Sequence, residues 1–150
     1  MKTYVGNLIK RDIQRISLAS KKKKTIFGLG GPSINEYIKV LKELGYKDII
    51  LFENDYEVFK KQKKQKPQCV LLFDDILNHL GEDGFYDFDF CSTIKKVEPW
   101  MPQIVATPKY SLTFSLRGTG YNGTISTFKK YSEAKYISYH DTSAMITFFS

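Results

Sequence analysis

The spacing of apolar residues is most regular between residues 25 and 45, where it predicts a strand, a tight turn and a helix. The short run Thr25-Ile26-Phe27 leads into a glycine turn, Gly28-Leu29-Gly30-Gly31. An apolar stripe at helical spacing comes next and consists of Ile34, Tyr37, Ile38, Leu41 and Leu44. Ser33 and Glu36 have the spacing of a capping box, so we expect the helix to begin directly after the glycines. It is expected to end at Gly45.

A second buried strand is predicted at residues 48–52, and it ends on an acid, Glu53. Glycines allow the backbone to approach a nucleoside or phosphate closely, and an acid at the end of the next strand can hold both ribose hydroxyls. The two features together predict a pocket for an adenosine-containing ligand. Gly28-x-Gly30, with Ser33 in the third place, also nearly fits the dinucleotide-binding pattern, so NAD is an alternative ligand.

Strands and helices continue to alternate towards the C-terminus. Strands are expected at residues 68–73, 85–94 and 110–116, helices at 56–66 and 124–134, and a short apolar helix at 76–80. Three prolines between residues 95 and 109 allow only short or broken helices there. Two closing strands, 135–139 and 144–149, flank a polar turn that begins at His140. The predicted fold is α/β, with a doubly wound, mostly parallel seven-stranded sheet and a C-terminal antiparallel β-hairpin.

Residues 1–24 precede this sheet and predict a helix and a connector. Val5, Leu8, Ile9, Ile13 and Ile16 recur at helical spacing, and a polar, basic connector spans residues 17–24. We expect the helix to pack on the sheet edge beside a Rossmann-like domain of residues 25–150. A chain of 150 residues is long enough for one core and leaves no room for a separate substrate domain, so a single domain is predicted.

Charge is unevenly distributed along the chain, which has a net charge of +7. Basic residues cluster at Lys10–Arg15, Lys21–Lys24 and Lys60–Lys66, whereas acids cluster at Glu53–Glu57, Asp74-Asp75 and Glu82–Asp89. A basic rim around an acidic centre suits a polyanionic substrate and a cationic cofactor. The alternative is that the lysines only solvate helix faces.

The hydropathy of the chain and its cysteine and histidine content bear on its location and on metal binding. No apolar run approaches the roughly 20 residues of a membrane span, and the lysine-rich N-terminus is unlike a signal peptide, so we expect a cytoplasmic protein with no membrane partner. With two cysteines and two histidines, no metal site is expected. Both cysteines, Cys69 and Cys91, fall in predicted strands, and Cys91 is expected to be a buried strand residue rather than a nucleophile.

The order of these features resembles the class I S-adenosylmethionine-dependent methyltransferases over nearly all of residues 25–150. In that family, glycines follow the first strand, acids end the second and third strands, an Asp motif lies on the fourth, and a hairpin closes the sheet. The resemblance implies S-adenosylmethionine as the cofactor. The residues it assigns to cofactor binding are Gly28, Gly30 and Gly31 for the methionine part, Glu53 and its neighbour Asn54 for the ribose, and Asp74 or Asp75 for the adenine amino group.

The stretch Asp87-Phe88-Asp89-Phe90-Cys91-Ser92 resembles the active-site loop of this family. It is similar to the Asp-Leu-Asp-Pro-Phe-Gly stretch of tRNA guanine-N2 dimethyltransferases, but it lacks the proline. The resemblance implies Asp89 as the catalytic acid that orients the acceptor; the alternative is an acid that only ends the strand and caps the next element. Phe90 or Tyr121 is the candidate to stack on a base.

The acceptor implied is nucleic acid, either RNA or DNA, and Arg117 is the candidate to meet its phosphate. The alternative is that Arg117 forms an ion pair with a neighbouring acid. A homo-oligomer or a partner subunit is a further source of substrate recognition. Two alternative functions stay open at this point: an inactive methyltransferase-fold protein that binds nucleic acid or a partner, and an NAD-binding oxidoreductase.

Overall fold

A computed structural model of the chain describes residues 16–17, 24–133, 135–138 and 144–150. The strands are β1 (Thr25–Leu29), β2 (Asp48–Glu53), β3 (Val70–Phe73), β4 (Phe85–Asp89), β5 (Tyr110–Ser115), β6 (Lys135–Ser138) and β7 (Met145–Phe149). They form one seven-stranded sheet in the order β3-β2-β1-β4-β5-β7-β6. Strands β1 to β5 pair in parallel, whereas β7 is antiparallel to both β5 and β6. The predicted fold class, including the antiparallel hairpin, is confirmed.

Helices follow the parallel strands. They are α1 (Ile34–Glu43), α2 (Tyr56–Lys64), α3 (Ile94–Val97), α4 (Met101–Val105) and α5 (Gly120–Lys129), with short 3₁₀ helices at Ile76–His79 and Glu98–Trp100. The proline-rich segment is thus helical in short pieces, as expected. Helix α5 begins four residues before the predicted start at Thr124, directly after a turn that the hydrogen bond from the Gly120 N–H to the Leu116 carbonyl closes. No helix in the described part of the chain is long and apolar enough to cross a membrane.

Helix α1 has the buried face and the C-terminus that its sequence predicts, but not the predicted N-terminal cap. Its apolar stripe is buried against the sheet. It ends in a Schellman motif, since the Tyr46 N–H reaches the Leu41 carbonyl and the Gly45 N–H reaches that of Lys42, with Gly45 at φ +95°. Ser33 occupies the N-cap position, but its side chain makes no capping hydrogen bond, so the predicted capping box does not form.

Each face of the sheet carries its own hydrophobic cluster. The cluster on one face joins α1 to β1, β2 and β4 through buried residues that include Ile34, Leu41, Ile26, Leu51 and Phe85. The other cluster joins α3, α4 and α5 to the opposite face, and includes Ile94, Met101, Phe128, Tyr86 and Leu112. Side chains alternate between the faces along each strand, as the pleat requires. A helical layer therefore covers each face of the sheet.

Most of the segment before β1 falls among residues 1–15 and 18–23, which lie outside the described residues. Ile16 and Ser17 are helical, and the Ile16 side chain is fully buried in the cluster on the α1 face. The predicted helix from Val5 and the basic connector otherwise stay predictions, as does the division at residue 25. The hairpin turn with His140 also lies outside the described residues.

The glycine turn lies further along the chain than its sequence predicts. Strand β1 runs through Leu29, so Gly28 lies inside the sheet, where it pairs with Leu51 and Asp87. A Cβ at Gly28 would lie 2.6 Å from the Tyr37 hydroxyl oxygen. That hydroxyl donates a 2.6 Å hydrogen bond to the buried Asp87 carboxylate, which also accepts one of 2.7 Å from Ser111. Gly28 therefore makes room for a buried polar network.

We expect Gly28→Ala to destabilise the protein by about 1–3 kcal/mol, because the added methyl must displace the Tyr37 hydroxyl. In a Tyr37→Phe background the same change should cost under about 1 kcal/mol, since the next nearest atoms are 3.5 Å away, at ordinary contact distance. Urea unfolding of the two single variants and the double variant measures this coupling. Additive free energies of unfolding would contradict the steric explanation.

Candidate active site

A cleft of about 420 Å³ opens at the carboxyl ends of β1, β2, β3 and β4. The order of strands reverses between β1 and β4, and doubly wound sheets bind ligands in the crevice at such a reversal. Four connections supply its walls. The lining residues are Leu29, Gly31 and Pro32 after β1; Glu53, Asn54, Asp55 and Val58 after β2; Asp74, Asp75, Ile76 and Leu77 after β3; and Asp89, Phe90, Cys91, Ser92, Lys96, Val97 and Trp100 after β4.

Glu53 lies at the last position of β2, and two neighbours fix its carboxylate. One oxygen accepts a hydrogen bond of 3.1 Å from the Asp55 backbone N–H, and the other lies 3.4 Å from the Gln62 side-chain nitrogen. The Gln62 nitrogen also donates to the Gly31 carbonyl at 2.9 Å. Gln62 is fully buried, so its amide ties the turn after β1 to the end of β2. Asn54, exposed beside Glu53, lines the same cleft.

The three glycines predicted to meet a cofactor have different positions. Gly31 lines the cleft and has φ +66°, a conformation that favours glycine. Gly30 is buried, and a Cβ there would meet Ile34 at 2.8 Å, so its small size allows α1 to pack closely on the strand end. Gly28 and Gly30 are not among the residues that line the cleft.

Asp74 and Asp75, which follow β3, both line the cleft but differ in their surroundings. Asp74 is hydrogen bonded to His79 Nε2 at 2.8 Å, to the Asn78 amide at 2.9 Å and to the Asp75 backbone N–H at 2.7 Å. These bonds, that from His79 above all, lower the pKa of Asp74 to about 2. Asp75 caps the following 3₁₀ helix through the Leu77 N–H.

Strand β4 is shorter than predicted and ends at Asp89, which is only 6% exposed. Phe90 lines the cleft and stacks on Phe88 with ring centroids 5.6 Å apart. The prediction that Cys91 is a buried strand residue is wrong. Cys91 is exposed, lies in the loop with φ +53°, and its Sγ is 3.8 Å from Asp89 Oδ1. The reason is that the chain leaves the sheet after Asp89, at the edge of the cleft.

Arg117 and Tyr121 lie elsewhere. Both are exposed in or just after the turn that follows β5, and neither lines the cleft. The Arg117 N–H bonds to Ser115 Oγ, and the Tyr121 ring meets the Tyr136 ring edge-on at 6.3 Å. The structure therefore brings together the predicted acids, Gly31, Asn54 and Phe90, but it does not bring Arg117 or Tyr121 to them.

No family model matches the sequence, and no curated protein matches it. Solved structures do match its fold. A proposed tRNA methyltransferase of Streptococcus pneumoniae, solved in complex with S-adenosyl-L-methionine, matches with a TM-score of 0.65 and 9% identity over 97% of this chain and 72% of its own. The chain has the class I methyltransferase fold.

Two further structures are similar to this methyltransferase fold. One is a ribosomal protein methylase of Lactobacillus delbrueckii subsp. bulgaricus, with a TM-score of 0.63 and 12% identity over 97% of this chain and 79% of its own. The other is an uncharacterized protein from Listeria monocytogenes serotype 4b, with a TM-score of 0.65 and 10% identity over 97% of this chain. The chain spans 66% of the length of the Listeria protein, just under two thirds.

Sequence reasoning missed two residues, a lysine and a tryptophan, that line the cleft of this methyltransferase fold. Lys96 and Trp100 both line it and lie four residues apart in the continuous helical run from α3 into the 3₁₀ helix, a spacing that places side chains on one face. Trp100 is 43% exposed, and it is the one tryptophan of the sequence. The prolines predicted only short or broken helices here, so the i, i+4 spacing of a lysine and a tryptophan was not used, although it was visible in the sequence.

The charges that line the cleft are strongly unequal. Five carboxyl groups face one ammonium group: Glu53, Asp55, Asp74, Asp75 and Asp89 against Lys96. These groups produce a negative electrostatic potential in the cleft, and low-dielectric walls strengthen it. Because the sulfonium of S-adenosylmethionine is cationic and its ribose hydroxyls are donors, this set of acceptors fits that cofactor. An anionic pyrophosphate would meet repulsion here.

We expect His79→Ala to raise the pKa of Asp74, because it removes the principal hydrogen bond to the carboxylate. His79→Gln should keep much of the effect through its amide N–H. Since the folded-state pKa is depressed, the associated stability is present above the unfolded value of about 3.9 and is lost as the pH falls towards 2. Carboxyl-carbon NMR titration of the three proteins measures this, and an unchanged Asp74 pKa in His79→Ala would contradict it.

Proposed function

We propose that the protein is an S-adenosylmethionine-dependent methyltransferase whose acceptor is nucleic acid. One observation carries the proposal: acids at the ends of β2, β3 and β4 line a single cleft at the strand reversal of a class I methyltransferase fold. The acids come from three different connections, so their convergence is a property of the fold rather than of local sequence.

The cofactor half of the cleft is the part with Gly31, Glu53, Asn54, Asp74 and Asp75. We assign Glu53 to the ribose hydroxyls, with Asn54 next to it at the ribose. We assign Asp74 or Asp75 to the adenine amino group. Glu53 is suited to this because its carboxylate is already oriented by the Asp55 N–H and Gln62. Gly31 gives the methionine part a backbone without a side chain, and Gly30 and Gly28 act through packing.

The acceptor half is the part with Asp89, Phe90, Lys96 and Trp100. The bound cofactor supplies an electrophilic methyl group, so the protein's work is to position a nucleophile in line with it. Asp89 would accept a hydrogen bond from the acceptor N–H or O–H and thereby direct the lone pair of the acceptor atom at the methyl group. It would also take up the proton that the acceptor releases. Phe90 and Trp100 offer aromatic surface to a planar base, and Lys96 offers a cation to its phosphate.

Three features support nucleic acid as the acceptor. The sequence carries a net charge of +7 with a pI near 9.3, although the cleft itself is acidic. In the described part of the chain, Lys96 is the only basic residue that lines the cleft, so the other described basic side chains are available to a polyanion that runs along its outside. A structural neighbour is a proposed tRNA methyltransferase. Contacts to Arg117 and Tyr121 stay a prediction that requires an acceptor long enough to extend beyond the cleft.

We expect Glu53→Ala to weaken S-adenosylmethionine binding by about tenfold or more, since two ribose hydroxyls lose their acceptor. Glu53→Gln should weaken it less, because one acceptor oxygen remains. Isothermal titration with S-adenosylmethionine, S-adenosylhomocysteine and NADH measures both. Glu43→Gln, an exposed acid on the far end of α1, is the matched control and should bind like the wild type.

The same titration separates the competing functions. If the wild type binds neither S-adenosylmethionine nor S-adenosylhomocysteine, an inactive scaffold is favoured. A preference for NADH would favour an oxidoreductase. Unchanged affinity in Glu53→Ala, with wild-type binding intact, would reject the role given to Glu53 alone.

We expect Asp89→Asn to lower the methyl-transfer rate at least about a hundredfold while cofactor affinity changes less than about threefold, because the amide accepts no proton. Transfer of tritiated methyl groups to total RNA and to denatured DNA measures the rate, and calorimetry measures the affinity. Ser92→Ala, in the same loop, is the control for disturbance of the loop. Equal losses of rate and affinity in Asp89→Asn would make Asp89 a structural or cofactor-binding residue instead.

A further inference from the structure

A cluster of aromatic and lysine side chains lies on the outer side of α2, separate from the cleft. Tyr56, Phe59, Lys60 and Lys63 recur at positions i, i+3, i+4 and i+7, so they form one stripe along the helix. Phe73, at the end of the edge strand β3, meets this stripe, with its ring centroid 5.4 Å from that of Tyr56 and 5.3 Å from that of Phe59. We call these five residues the α2 aromatic surface.

The rings of this surface are far more exposed than core packing requires. Tyr56 is 56% exposed and Phe73 is 51% exposed. Large apolar groups that cluster on a surface mark a place where something binds. Helix α2 is held to the domain through its other side, where Gln62 is fully buried and Val58 lines the cleft.

The charges of the surface indicate a polyanion. The Lys60 ammonium lies 5.0 Å from the Tyr56 ring centroid, and that of Lys63 lies 5.5 Å from the Phe59 centroid. From Tyr56 to Lys66 the chain has five lysines and one acid, Glu57, which pairs with Lys60 at 3.1 Å. Two copies of such a surface would repel each other, whereas phosphates would be attracted.

Cations beside exposed ring faces are the combination that binds single-stranded nucleic acid, since bases stack on the rings while lysines track the phosphates. A duplex offers no free base faces for stacking. The surface also adjoins the cleft along the chain, because Tyr56 follows Asp55 and Phe73 precedes Asp74, and both acids line the cleft. A strand bound here would reach the mouth of the cleft.

We propose that the α2 aromatic surface binds a single-stranded segment of nucleic acid beside the cleft, with a base stacked on Tyr56 or Phe73. The inference rests on the proposed function for the link to methyl transfer. The binding itself follows from the surface chemistry, and an inactive scaffold would bind in the same way.

The test is fluorescence anisotropy with a labelled oligouridylate of about 12 nucleotides and with an RNA duplex of the same length. We expect the wild type to prefer the single strand and Tyr56→Ala to bind it about fivefold or more weakly, since a stacking platform is lost. Tyr56→Phe keeps the ring and should bind like the wild type. Tyr136→Ala removes another exposed tyrosine, 40% exposed on β6 at the opposite edge of the sheet, and should also have no effect.

A double variant, Lys60→Gln with Lys63→Gln, tests the phosphate contacts without removing a ring. It should bind more weakly at low salt and show a salt dependence reduced by about 1.4 in the log–log slope, for two contacts to a single strand. Equal affinity of Tyr56→Ala, the lysine variant and the wild type would overturn the proposal. An equal loss in Tyr136→Ala would also overturn it, because the binding would then not depend on the rings of the α2 aromatic surface.

Two further measurements separate the remaining outcomes. A wild-type dimer that becomes monomeric in Tyr56→Ala, by light scattering, would overturn the proposal in favour of a second copy as the occupant. Calorimetry with S-adenosylmethionine on the same proteins separates the two proposals. Ring-dependent RNA binding without cofactor binding would refute the methyltransferase and keep this surface, whereas cofactor binding with ring-independent RNA binding would refute this surface alone.

Discussion

The reversal of strand order between β1 and β4 is the constraint on which the rest of the structure depends. Helix α1 follows β1 onto one face of the sheet, whereas α3 and α4 follow β4 onto the other, so the two connections diverge and leave a cleft between them. The pairing of Gly28 with Asp87 holds the two strands together just below that point. Beneath it, the Tyr37 hydroxyl and Ser111 satisfy the buried Asp87 carboxylate, which would otherwise be costly to bury.

The fold separates the charges of a basic protein into two regions. Backbone N–H groups at strand ends and helix starts hold the carboxylates of the cleft: Asp55 donates to Glu53, Asp75 to Asp74, and Leu77 to Asp75. The lysines of the described helices, such as Lys39, Lys61 and Lys129, are exposed, so their long side chains remain hydrated. A molecule with a net charge of +7 thus has a cleft lined by five acids and one lysine. This arrangement favours a cation inside the cleft and a polyanion across its outside.

The loop after β4 differs from the pattern that its sequence resembles, and the structure gives the difference a physical form. Without a proline, the chain turns through Cys91 in the left-handed region at φ +53°. The turn exposes the thiol and leaves Phe90 stacked on Phe88 at the cleft wall. The following helical run then contributes Lys96 and Trp100. The acceptor half of the site is therefore built from residues spread between Asp89 and Trp100, over a strand end, a loop and a helical run, rather than from one short motif.

Local pattern determined the element types, the fold class and the acids that end β2, β3 and β4, because apolar periodicity and parallel topology together fix where strand ends meet. It did not determine which side chains share the cleft. Gly28 lies inside β1 because pairing with β2 and β4 extends that strand past the position where a turn was expected. Arg117 and Tyr121 are separated from Asp89 because β5 continues the sheet away from the reversal point. No local spacing encodes the contacts of Gln62 with Gly31 and Glu53. Lys96 and Trp100 share a helix face through their i, i+4 spacing, but only the packing of that helical run against the sheet places this face on the cleft.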